Sequence, residues 1–176
     1  MAVPPPRGAR GGRLYFGASI GIGHATSVPK KNEQTTKQKL WNSLLFIFAF
    51  FLSEDPNCII DLAFVIDASG SVRDDWETLL NFVVNVARAV NIGPERSHIA
   101  LIYFGNQAVK LFDFTEFDQT PYNERSIFSK IQSISRPRST ERTFINRGLK
   151  LANDEVFQTQ FGMRPNVKQV LHFELT

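Results

Sequence analysis

Apolar and polar positions follow two rhythms along this chain. Ile59 to Ile66 is almost continuously apolar, the pattern of a strand buried on both faces. After Ser71 the apolar residues Val72, Trp76, Leu79, Val83, Val86 and Val90 recur at spacings of three and four, one face of a helix. Ser71, with Asp74 three residues on, predicts the N-cap, and Asn91-Ile92-Gly93-Pro94 predicts the stop. His98 to Phe104 predicts a second strand and Ala108 to Phe114 a third, with Gly105-Asn106 as the tight turn of an antiparallel hairpin. Thr120 and Pro121 predict the start of another helix, with Ile127, Phe128, Ile131 and Ile134 as its inner stripe. Thr143 opens the next helix, whose stripe reads Ile145, Leu149, Ala152 and Val156, and Val167 to Phe173 predicts the fourth strand. Strands alternating with helices around one hairpin predict an α/β fold. It is a Rossmann-like, mostly parallel sheet with helices on both faces and one antiparallel edge strand.

The first 57 residues do not share this pattern. Residues 1–40, with Pro4-Pro5-Pro6 and a glycine- and arginine-rich run from Arg7 to Arg13, predict a disordered basic tail. Gly17 to Gly23 carries a Gly-Ile-Gly piece, but no predicted strand precedes it and no Lys-Ser/Thr follows, so it is not a phosphate loop. Residues 41–57 contain the charge-free run Leu44 to Leu52, preceded by Lys30, Lys31, Lys37 and Lys39. The run is shorter than the roughly 20 residues that cross a bilayer. Its length and basic flank fit a secretory signal or signal-anchor, which would be the only membrane contact; the other reading is a buried helix packed on the domain. The domain itself is expected over residues 58–176.

Charge sharpens the division. The net charge of +3 arises in residues 1–40, which carry seven Lys/Arg against Glu33 alone. Residues 41–176 carry thirteen Lys/Arg against sixteen acids, so the domain is mildly acidic and no nucleic-acid partner is expected. Cys58 is the single cysteine, which excludes an internal disulfide. It reads either as a small apolar residue before the first strand or as an extracellular half-cystine whose partner is absent from this chain.

The chemistry gathers after the first strand. Asp67, Ser69 and Ser71 lie on a short loop between a buried strand and a helix, where open α/β sheets place their sites. Three oxygen donors without sulfur or imidazole suit Mg²⁺, Ca²⁺ or Mn²⁺ rather than a soft metal. An aspartate here also serves as a phosphoryl nucleophile in some α/β hydrolases. Those enzymes need a second nearby aspartate, and Ala68 and Ser69 follow instead. His24, His98 and His172 fall in the tail and in strands and make no catalytic order with a serine and an aspartate. No enzyme is expected.

The phrase Asp67-Ala68-Ser69-Gly70-Ser71, with Ile99-Ala100-Leu101-Ile102-Tyr103-Phe104 and Arg164-Pro165-Asn166-Val167-Lys168-Gln169-Val170-Leu171, resembles the von Willebrand factor type A domains of integrins, matrilins and non-fibrillar collagens. The resemblance covers Cys58 to Leu171. It implies a metal-ion-dependent adhesion site whose ligands are Asp67, Ser69, Ser71 and Thr143, the last from the phrase Thr143-Phe144-Ile145-Asn146-Arg147-Gly148-Leu149. It further implies a divalent cation, Mg²⁺ before Ca²⁺ or Mn²⁺, and an extracellular protein ligand such as collagen or another matrix protein. The cation would grip an acidic residue of that partner. The implied setting is secretion into the extracellular matrix, with membrane anchoring as the alternative. Two departures stand out. The family closes its site with an aspartate where Thr176 falls, Glu174 being two residues earlier on the same side of the strand. The family's fifth and sixth strands and last helices have no counterpart before Thr176, so a domain incomplete at its C-terminus is expected. Its last predicted strand would then stand at an open sheet edge, and a cysteine that often pairs with one at the place of Cys58 would be lost. The corresponding alternative is a fragment that no longer binds metal or ligand.

Overall fold

The computed structural model describes residues 14–18 as backbone and residues 59–69, 75–137 and 142–174 in full. The long apolar run, Cys58, Ser71 and Thr176 lie outside these residues. Five strands, β1 (Leu14–Ala18), β2 (Ile60–Asp67), β3 (His98–Phe104), β4 (Ala108–Phe112) and β5 (Lys168–Glu174), form one sheet in the order β1-β5-β2-β3-β4. β1, β5, β2 and β3 run parallel, and β4 is the antiparallel edge strand. Among the described residues three helices, α1 (Trp76–Ala89), α2 (Glu124–Gln132) and α3 (Ile145–Glu155), cover it.

Every residue of β2 is buried because the strand has a helix layer on each side. Ile60, Leu62, Phe64 and Ile66 meet α1 and α2 in one core. Ala63 and Val65 meet Ala152, Val156, Leu171 and Phe173 in the other. The period of two thus splits one apolar run between two cores. Among the described residues no helix is long and apolar enough to cross a membrane.

Several expectations shift. α1 begins at Trp76 with Asp75 before it, and the Asp75 side chain makes no cap hydrogen bond. The indole N–H of Trp76 instead donates to the Ile134 carbonyl (3.1 Å), and its ring meets Tyr103 edge-on. β4 ends at Phe112, and a 3-10 turn, Phe114–Phe117, follows. α2 starts at Glu124 rather than Pro121, because Asn123 Oδ1 accepts the Arg125 N–H and is the better cap. On α3 the buried line is Gly148 and Ala152, and Ile145 and Leu149 are 40% and 38% exposed. The expected stripe is rotated because Gly148 lets the helix press on the sheet. A Cβ at Gly148 would lie 2.9 Å from Val65 Cγ1 and 3.1 Å from Phe104 Cγ.

The largest correction concerns the N-terminal tail. Residues 14–18, expected to be disordered, form β1, which pairs in parallel with β5 from Leu14↔Gln169 to Ala18↔Phe173. β5 therefore lies between β1 and β2 and is not an edge. The physical reason is the unmet row of main-chain donors and acceptors that β5 would otherwise present. The uncharged segment Leu14-Tyr15-Phe16-Gly17-Ala18 satisfies it.

Candidate metal centre

The site grows from the carboxyl end of β2. Asp67 is its last residue, 3% exposed, and Ser69 is 7% exposed two residues on. Asp67 Oδ1 accepts the Ser69 N–H at 2.8 Å, which bends the chain sharply and fixes the carboxylate. Between them, the Ala68 N–H donates to the Phe104 carbonyl (2.8 Å), tying the loop to the end of β3.

Thr143 reaches the same end of the sheet by another route. It lies exposed two residues before α3. Its neighbour Phe144 donates its N–H to the Gly105 carbonyl at 3.0 Å. Arg147 donates through Nη1 to the Asn106 carbonyl, and its guanidinium sits 4.4 Å over the Phe144 ring. The loop bearing Asp67 and Ser69 and the segment bearing Thr143 thus attach to consecutive residues, Phe104 and Gly105. The close approach at Gly148 brings α3 near enough for this. Sequence reading missed Gly148 and Arg147. A glycine inside an otherwise amphipathic helix was the available signal, since it costs about 1 kcal/mol relative to alanine unless packing requires it.

Glu174 takes another part. It lies within β5, opposite Ile66 in register, and is 5% exposed. Its Oε2 is 3.2 Å from Nε2 of His172, whose ring packs against Phe64 and Phe82. Glu174 is engaged on the α1 side of the sheet, whereas Asp67 falls on the opposite parity of β2. Among the described residues no three His, Cys, Asp or Glu side chains gather as a metal site. The donors after β2 are one carboxylate and hydroxyl groups, a set of hard oxygens. That chemistry fits a hard divalent cation that keeps part of its shell for water or an incoming carboxylate.

The sequence profile of the von Willebrand factor type A domain matches residues 61–173. Mouse integrin alpha-2 is 26% identical over 113 residues, which are 64% of this chain and 9% of that protein. Human matrilin-4 is 28% identical over 112 residues, 63% of this chain and 17% of that protein. The chain therefore corresponds to less than a fifth of the length of either relative. Among solved structures, proximal thread matrix protein 1 from the mussel byssus, with a zinc-occupied MIDAS motif, superposes with a TM-score of 0.56. It is 27% identical, over 68% of this chain and 29% of that one. With the profile spanning more than half of the sequence, and with the sheet and the loop after β2 formed as described, the chain belongs to the von Willebrand factor type A domain family.

Proposed function

We propose that this protein is a non-enzymatic adhesion module. In this reading Asp67, Ser69, Ser71 and Thr143 hold a divalent cation, Mg²⁺ first, that engages an acidic residue of an extracellular matrix protein such as collagen. The observation that carries the reading is the convergence of the Asp67–Ser69 loop and the Thr143 segment on Phe104 and Gly105. When bound, the cation supplies a concentrated positive charge with exchangeable ligand positions. The protein's own share is positional. Ser69 N–H orients the Asp67 carboxylate. Burial of Asp67 and Ser69 removes competing water and strengthens the field at the mouth of the site. Thr143 contributes a neutral oxygen from an exposed segment, so the set adds little negative charge and leaves the cation attractive to an outside carboxylate.

The zinc in the mussel protein supports a divalent cation at the equivalent motif, and the matrix and integrin relatives support an extracellular setting. Secretion into the matrix is the reading adopted, with anchoring through residues 41–52 as its alternative. The test is retention of the full chain on immobilised collagen. We expect retention in Mg²⁺, loss in EDTA, and a fall of about tenfold or more for Ser69→Ala. Retention that survives EDTA, or that Ser69→Ala leaves unchanged, overturns the metal-dependent reading.

A further inference from the structure

β1 meets β5 through main-chain pairing, and any extended segment can supply that. Its five residues carry no charge and no proline, and they continue the parallel order of β5, β2 and β3. It is the outermost strand of the sheet, and it reaches β5 from beyond the whole of residues 19–59. Five paired residues without a hairpin are a weak attachment by themselves, and a tether that raises their effective concentration adds to it. We propose that the β5 edge is a strand-acceptor site and that Leu14–Ala18 is its intramolecular latch. The site takes an extended, uncharged, proline-free segment laid parallel to Gln169–Phe173, the mode of recognition in which backbone bonds give affinity. The latch needs β1 and β5 on one side of any membrane, so it belongs to the reading in which residues 41–52 pack on the domain rather than act as a signal or anchor. There, while residues 19–59 are intact, β1 holds the site at high effective concentration. A cut anywhere in residues 19–59 turns the latch into a free peptide, and occupancy then follows concentration.

The test uses the full chain and a full-length Phe16→Pro/Gly17→Pro variant. Successive N–H groups of a strand face opposite edges, so two adjacent prolines remove whichever one serves β5. The probe is a labelled peptide of residues 13–19. Hydrogen exchange is expected to quicken by about tenfold at alternate amides of Gln169–Phe173 in the variant, with the amides facing β2 still protected. The peptide is expected to bind the variant saturably and to bind the native chain at least about tenfold more weakly. A second measurement does not rely on breaking β1. In a Cys58→Ser background, Leu14→Cys and Gln169→Cys, register partners in the sheet, should be joined by a short bismaleimide within one monomer. Unchanged exchange in the variant, peptide binding that is equal or absent in both proteins, or cross-linking found only between two chains would each overturn the proposal.

Discussion

His98 couples the fold to pH through one ring. Its Nε2 lies 3.0 Å from the Pro94 carbonyl, its ring stacks on Phe117 at 4.5 Å, and its buried Nδ1 has no hydrogen-bond partner among the described residues. Burial lowers its pKa below the ordinary 6.5, and the bond to Pro94 opposes that only in part. The unfolded chain therefore takes up this proton first as the pH falls. The stability tied to neutral His98 is present above about pH 6.5 and is lost as the pH falls from there toward the folded-state value. Melting curves across this window should show a smaller loss on acidification for His98→Phe, which keeps a ring against Phe117; equal slopes would remove His98 as the cause. Arg164 makes a second point at the amino end of β2. Its main-chain N–H and Nε donate to the fully buried Asp61 carboxylate at 2.8 and 2.9 Å, and Nη1 donates to the Arg96 carbonyl. Arg164→Ala keeps the main-chain N–H but leaves the buried Asp61 carboxylate without its counter-charge, and chemical denaturation should register a loss of about 3–5 kcal/mol. A loss below about 1 kcal/mol would show that water replaces the guanidinium. Gly148→Ala places a methyl 2.9 Å from Val65 and 3.1 Å from Phe104. A cost of about 1–3 kcal/mol, with weaker cation binding as α3 and Thr143 lift away, is the expected outcome of paired melting and titration experiments.

At the scale of elements, β2, β3, α1 and the β3–β4 hairpin were legible because burial dictates their apolar periods. The strand His98–Phe104 matches the sequence reading at both ends. The position of Asp67 and Ser69 at the buried carboxyl end of β2 was legible for the same reason, since the apolar run ends on short oxygen-bearing residues. The rotation of α3 was not legible. Its apolar positions satisfy helical spacing on two faces, and only the sheet's need for close approach at Gly148 selects between them. Nor was β1 legible. A five-residue run between glycine-rich flanks has no period long enough to stand out, and its strand state depends on pairing with Gln169–Phe173, more than 150 positions away. The start of α2 was misplaced by three residues because the capping chemistry of Asn123 outweighs the Thr-Pro signal before it. Asn123→Ala should cost about 1 kcal/mol with fraying confined to α2, as amide exchange would report; a loss spread over the whole sheet would contradict a capping role.

Over the whole molecule, the two ends of the parallel strands do different work. The amino ends of β2 and β3 and the approach to β5 are fastened by Asp61, Arg164 and the stacked His98–Phe117 pair. The carboxyl ends carry Asp67 and Ser69, with Thr143 brought to them through Gly105. Ionic and stacking contacts gather at one end and the oxygen donors at the other, the division expected where open α/β sheets keep their ligands. Titration of the full chain with Mg²⁺ by calorimetry, alongside Asp67→Ala, tests this account most directly. It predicts one saturable site in the native chain at or below about millimolar Mg²⁺, absent from the variant. No saturable heat at that concentration, or equal binding by Asp67→Ala, would contradict it.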